Sequence, residues 1–272
     1  MTEEARAPIL EMRGMSKHFG GLQALKGVDL SLYAGELLAI VGDNGAGKST
    51  LIKILTGVYA ANEGTIHLRG QQVHIPNRRA SIELGIEAVY QNLALVDYLT
   101  APQNVYLGNE IKRSVLGIPV LDNAGMRRKA ATLLKDRLGI SLGDIDQYAY
   151  NLSGGQRQAV AIGRALIQET VKILILDEPT AALGPEETRR MLEVVHRLKG
   201  KEMGLIMISH QLEDVFELAD RIMVLRNGRL SGVRTTAKTS RQEILGLIVG
   251  AISDGDGDVG SAGTRPGAPV SP

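Results

Sequence analysis

The segment LLAIVGDNGAGKSTLIKIL, residues 37–55, constrains the fold of this 272-residue chain more than any other. Leu37 to Val41 is an apolar run of the length of a buried strand, and a helix is expected to begin directly after the glycines, from Lys48 to Leu55. Between them stand Gly42, Asp43, Asn44, Gly45, Ala46, Gly47, Lys48 and Ser49, with Thr50 next: a glycine, four residues, then Gly-Lys-Ser. Glycines let the backbone curl so that successive N–H groups face inward, and the helix adds its positive end to the same cavity. Lys48 supplies a full charge for β- and γ-phosphates, and the Ser49 hydroxyl suits Mg²⁺, which prefers oxygen ligands. A glycine-rich turn with a chance lysine is the alternative; the strand before the loop and the helix after it favour the phosphate site.

Elsewhere short apolar runs alternate with helical patterns, which predicts an α/β domain with a largely parallel sheet. Buried strands are expected at 86–90, 173–176 and 205–208, and a smaller antiparallel layer from 9–19, 28–32, 65–68 and 73–75. Between about 92 and 168 the strand signal gives way to helical patterns such as MRRKAATLLKDRL, so a helical lobe is expected to be inserted there. Asn227-Gly228 between apolar runs predicts a hairpin, because both residues tolerate positive φ. From Ala251 to Pro272 the tail offers almost nothing to bury and is expected to be disordered.

Lysine and arginine total 31 against 30 acidic residues, a net charge of +1 that gives no basic excess to attract nucleic acid. The absence of cysteine removes disulfides and thiolate metal sites. MTEEARAP lacks the apolar core of a signal peptide, and no apolar run approaches the roughly 18 residues of a membrane helix. A soluble, cytosolic protein is expected.

A nucleotide site also needs a carboxylate at the end of a neighbouring strand. Residues 173–179, ILILDEP, supply two, and alternation along the strand gives them different directions. Asp177 is expected to hold the Mg²⁺ shell and Glu178 to orient the attacking water. An ordinary carboxylate is ionised at neutral pH but is a weak base, so Glu178 positions and polarises water, a contribution worth about 10²–10⁴ in rate. The competing reading is two acids capping a strand at a solvent edge.

The stretch NLSGGQRQAV, residues 151–160, repeats the theme. Ser153 is a good N-cap, Gly154 and Gly155 allow close approach to the backbone, and an amphipathic helix continues from Gln156. Such an end attracts an anion by only about 0.3–1 kcal/mol, up to 2 when partly buried. That is too little to bind a nucleotide unaided, and by itself the pattern also fits a simple capped helix.

Taken in order, the phosphate loop at 42–49, Gln91, LSGGQ at 152–156, the acid pair 177–178 and His210 resemble the motif series of ABC ATPases, over about residues 9–250. The resemblance implies a P-loop NTPase fold of the ABC type: a parallel core sheet, an antiparallel β layer and an inserted helical subdomain. It implies head-to-tail pairing with a second ATPase subunit, so that Ser153, Gly154, Gly155 and Gln156 cover ATP held by the phosphate loop of the facing copy. It also implies that Gln91 reaches Mg²⁺, that His210 contacts the γ-phosphate, and that Phe19 stacks on adenine; Phe19 serves equally well as a core residue. Gly184 replaces an aspartate common at the end of the 181–184 tetrad, which weakens the expected coupling between the two sites.

The segments 43–59, 75–91, 153–165 and 178–184 further resemble ATP-binding subunits of bacterial sugar importers of the ribose, xylose and fructose kind, in the form with one ATPase domain per chain. The implied partners are a membrane permease, for which Leu93 to Leu107 could line a receiving groove or else pack the lobe's core, and an external sugar-binding protein. The implied place is the cytoplasmic face of the membrane. An export ATPase and a soluble ABC protein are the rivals; a GTPase is disfavoured because no Asn-Lys-x-Asp stretch is present to read guanine.

Overall fold

A computed structural model describes residues 7–168, 170–200 and 202–252. The chain opens with a hairpin of β1 (Leu10–Phe19) and β2 (Leu22–Leu32), then enters β3 (Leu37–Val41) and, past the glycine loop, α1 (Lys48–Leu55). Next come β4 (Glu63–Leu68), β5 (Gln71–Val73), α2 (Arg78–Glu83) and β6 (Ile86–Val89). The inserted lobe holds α3 (Ala101–Val105), β7 (Lys112–Val115), β8 (Ile118–Leu121), α4 (Asn123–Thr132), a π-helical turn over Leu133–Arg137, and α5 (Gly154–Ala165). The chain then returns to the sheet through β9 (Ile173–Asp177), α6 (Pro185–Leu198), β10 (Gly204–Ile208) and α7 (Leu212–Leu218). It ends in β11 (Arg221–Arg226), β12 (Arg229–Thr235) and α8 (Arg241–Val249).

The main sheet has the order β12-β11-β3-β10-β9-β6, parallel throughout except for the β11–β12 hairpin at its edge. Both faces of its middle strands are covered, which is why they read as unbroken apolar runs. Alternation then divides each strand between two cores. Leu37, Ala39, Val41, Leu174, Leu176, Leu205 and Met207 pack with the helices α5 and α6. Leu38, Ile40, Ile173, Ile175, Ile206 and Ile208 pack with α1 and the antiparallel sheet β2-β1-β4-β5. A one-residue slip of any central strand would exchange its two sets of side chains between these cores, so the register is strongly specified.

That register sets the site. Ile208 pairs with Ile40 on one side and Asp177 on the other, so β3, β10 and β9 end together. The glycine loop, Ser209-His210 and Asp177-Glu178 therefore leave the sheet at one edge, the carboxyl end of parallel strands where ligands of such folds bind.

Two expectations need correction. The lobe contains strands: β7 and β8 pair antiparallel around Leu116 and Gly117, both at positive φ. KRSV and IPVL are mostly exposed and show no apolar alternation, so the turn geometry, rather than burial, makes this hairpin. The body also extends past the expected start of the tail, since the Ala251 and Ile252 N–H groups donate to Gly246 O and the Ile252 side chain packs on the core. Residues 253–272 of the expected tail lie outside the described residues.

Candidate active site

The glycine loop is held open by its own backbone. Gly42, Gly45 and Gly47 have φ of 146°, 80° and 105°. At Gly47 a Cβ would come within 2.8 Å of Ala24 O and of Leu25 Cδ2, so only glycine fits. Gly47 is also the N-cap of α1, and no side chain caps that helix end. The first N–H groups of α1 are thus left for an anion. Lys48 Nζ donates to Gly42 O at 2.6 Å and to Asp43 O at 3.0 Å, which pins the loop around the ammonium. Burial pulls the Lys48 ammonium below its ordinary pKa, opposed by the charges of Glu178, Asp43 and Asp177.

One cavity takes in Asn44 to Thr50, Gln91, Asp177, Glu178 and Phe19. The structure therefore gathers the phosphate loop, the lone glutamine and the acid pair, which lie up to 134 residues apart in sequence, around one space. Asp43 lies beside it through its carbonyl. Phe19 is 41% exposed and sets its ring edge-on to Tyr59, so the core reading of this residue is excluded. Lys26 and Asn227 also line the cavity; Lys26 carried no motif, and Asn227 was marked only as a hairpin turn.

Asp177 and Glu178 both line the cavity, and β9 ends between them, so the turn after the strand rather than alternation places Glu178. Asp177 closes β9, and its carboxyl is pushed up by burial first and by the Glu178 charge second, with Lys48 and Lys53 pulling the other way. An added cation in the cavity would relieve that penalty, which is the electrostatic condition a divalent ion meets. Among the described residues no three His, Cys, Asp or Glu side chains converge on a point that could hold a metal. Asp177 would thus share such an ion with Ser49, Gln91 and the oxygens of a bound phosphate chain.

Glu178 leaves the strand with φ at 53°, a conformation that costs a non-glycine residue about 1–3 kcal/mol and that clusters at functional sites. Its N–H donates to Ile208 O at 2.9 Å, and its Oε2 stands 2.7 Å from Nδ1 of His210. The Glu178 side chain is largely buried while His210 is 62% exposed. The pair is therefore anchored at the acid and open at the imidazole. Behind it the buried Thr180 hydroxyl donates to Asp214 Oδ2 at 2.6 Å, tying the segment after Glu178 to α7. Asp214 carried no motif by which sequence could have found this tie.

The Ser-Gly-Gly run stands apart. Ser153 N-caps α5 in a full capping box: the Gln156 N–H donates to Ser153 Oγ at 3.4 Å, and the Ser153 N–H donates to Gln156 Oε1 at 3.0 Å. Ser153, Gly155 and Gln156 line a second cavity with Gly139, Glu187, Arg190 and Arg197, and none of residues 153–156 reaches the phosphate-loop cavity of the same chain. From the other end of α5, Arg164 donates to Ala94 O at 2.9 Å and to Leu93 O at 2.6 Å, so the helix grips the segment that follows Gln91.

Comparison with known proteins bears on this arrangement. A model of the ABC transporter family matches residues 25–181. Ribose import ATP-binding protein RbsA of Caldanaerobacter subterraneus is 42% identical over 243 residues, 89% of this chain and 48% of that protein. Fructose import ATP-binding protein FrcA of Rhizobium meliloti is 40% identical over 250 residues, 91% of this chain and 96% of its own. The chain thus spans about half the length of the ribose relative and nearly the whole of the fructose one. Among solved structures, a nucleotide-free ATP-binding cassette from an ABC transporter matches with a TM-score of 0.75 at 28% identity, covering 89% of this chain and 95% of that one. A dimeric bacterial ABC transporter cassette matches with a TM-score of 0.69 at 25% identity, covering 84% and 98%. With its P-loop NTPase fold and these matches along most of its length, the chain belongs to the ABC transporter family.

Proposed function

We propose that the chain is the ATP-hydrolysing subunit of an importer for a monosaccharide, working at the cytoplasmic face of the membrane beside a permease, with an external sugar-binding protein delivering cargo. The observation that carries the nucleotide reading is the single cavity that unites Lys48, Ser49, Gln91, Asp177 and Glu178. Direct assignments follow from it. The N–H groups of the loop and α1 take the β- and γ-phosphates, Lys48 adds charge, Phe19 offers a ring face for adenine, and Ser49, Gln91 and Asp177 hold Mg²⁺. When bound, Mg²⁺ supplies neutralisation of the charge on the transferred phosphoryl group. Glu178 accepts a hydrogen bond from the attacking water, and His210, its Nδ1 2.7 Å from that carboxylate, contacts the γ-phosphate.

The second half of the site comes from another copy. Ser153, Gly154, Gly155 and Gln156 do not line the phosphate-loop cavity of their own chain, which supports their meeting ATP across a head-to-tail homodimer. A dimeric cassette stands among the structural neighbours, which supports pairing of two copies. Sugar import rests on the relatives named for ribose and fructose import. No helix among the described residues is long and apolar enough to cross a membrane; in this reading the permease supplies the passage. Purification of the chain from membranes tests it: a permease and a sugar-binding protein should come with it, and a sugar should stimulate hydrolysis by the assembled complex. Recovery with an efflux permease and no binding protein would refute import.

A further inference from the structure

The N-terminus of α5 already carries an anion, and it comes from the same chain. Glu187, in the first turn of α6, accepts from the Gly155 N–H through Oε1 at 3.3 Å and from the Gly184 N–H through Oε2 at 3.3 Å. The Ser153 hydroxyl, followed by the N–H groups of Gly155, Gly184 and Gly154, holds its carboxyl below the usual range. The glycine pair makes room for this approach. A Cβ on Gly154 would come within 3.3 Å of Glu187 Oε2 and 2.9 Å of Leu183 Cδ2, and one on Gly155 would lie 3.5 Å from Glu187 Cβ.

This carboxylate is not needed to cap α5. Ser153 and Gln156 complete their capping box between themselves, and Glu187 takes donors that the box leaves over. Those donors are the ones the proposed dimer offers to the facing nucleotide. A carboxylate and a terminal phosphate cannot share them, because both are anionic and each helix end presents few free N–H groups. The contact is also built to yield: both bonds are longer than the 2.7–2.9 Å usual when one partner is charged, and Glu187 is only partly buried.

We propose that Glu187 is an internal surrogate for the terminal phosphate of ATP, occupying the Ser153–Gly155 donors in the separated subunit and surrendering them when the facing subunit brings its nucleotide. The inference rests on the trans reading of Ser153–Gln156 given above. Dimer closure then requires an exchange of anions, and the same movement frees the N-cap of α6 at Gly184. Glu187 is a positioning residue here; it sets when the second half of the site becomes available.

The test compares Glu187→Gln with its parent in a Glu178→Gln background that traps ATP. Glutamine at this third helical position keeps the capping role toward α6 and removes only the charge. Sedimentation velocity with Mg-ATP measures the dimer dissociation constant, and a fluorescent ATP analogue at concentrations below dimerisation measures affinity for the single chain. Losing the competing charge is expected to help each site by about two- to fivefold. The dimer should therefore tighten by about four- to twenty-five-fold, two sites acting together, with single-chain affinity unchanged. Glu186→Gln is the control, since Glu186 pairs with Arg189 and Arg190 rather than with α5; it should leave the dimer constant where it was.

Unchanged or weaker dimerisation of Glu187→Gln would overturn the proposal. So would equal tightening by Glu186→Gln, which would show a general charge effect. If the Glu178→Gln parent forms no ATP-dependent dimer at any concentration, the trans reading itself fails and the proposal falls with it; a parent that dimerises and does not respond to Glu187→Gln removes only the surrogate.

Discussion

Replacing Glu178 by glutamine removes one charge and almost no volume. The backbone that places the residue is fixed independently of its side chain, by the hydrogen bond from its N–H to Ile208 O at 2.9 Å and by the strand pairing of Asp177 with Ile208. What the substitution takes away is the carboxylate 2.7 Å from His210 Nδ1. Loss of a group that orients and polarises water should cost about 10²–10⁴ in turnover, or about 2.7–5.4 kcal/mol of barrier at 1.36 kcal/mol per decade. Binding should move the other way. The Glu178 charge raises the Asp177 carboxyl, second only to burial, so its removal makes a cation-binding Asp177 easier to ionise. The assay is phosphate release at saturating Mg-ATP, with gel filtration of the ATP-loaded protein alongside. Turnover should fall at least about a hundredfold while ATP binding persists and an ATP-dependent dimer accumulates. His210→Ala should also slow turnover, and the double variant should be little worse than the poorer single one, because the two act as a unit. A Glu178→Gln protein that turns over within about threefold of its parent, less than half a decade, would remove Glu178 from its assigned role.

Asp177→Asn should raise the melting temperature of the nucleotide-free chain at neutral pH and abolish Mg²⁺-dependent stabilisation by ATP. The sign follows from the raised carboxyl pKa: ionisation is penalised in the fold, so wild type loses stability as pH rises through the unfolded value, about 3.9. The gain over wild type should shrink as thermal melts are taken toward that pH, and a gain that is constant with pH would refute the assignment. Ser153→Arg should block hydrolysis while sparing nucleotide affinity of the single chain in fluorescence titration; equal loss of both would argue against a site completed in trans. Gly42→Ala places a Cβ on the Leu225 carbonyl oxygen at a φ of 146°. It should cost about 1–3 kcal/mol of stability and lose ATP binding, and full retention of both in melting and titration would contradict the loop geometry.

Sequence alone determined the pieces whose information is local. The phosphate loop, the buried strands and the Asn227-Gly228 hairpin each depend on a few adjacent residues, because glycine φ, strand alternation and turn chemistry act over short spans. Tertiary structure decided whatever depends on which strands end together. Only the order β3-β10-β9 brings Lys48, Asp177 and His210 to one edge, and only the packing of α6 beside α5 places the Glu187 carboxylate on Gly155. The β7–β8 hairpin escaped notice because its strands bury little and so carry no alternation. Phe19 could be read either way until burial was known, since an aromatic ring serves a core or a ligand equally well and only its 41% exposure separates the two. Sequence fixes backbone conformations that neighbours along the chain enforce; contacts between distant segments come from filling two cores on either face of one sheet, and that filling is a property of the whole fold.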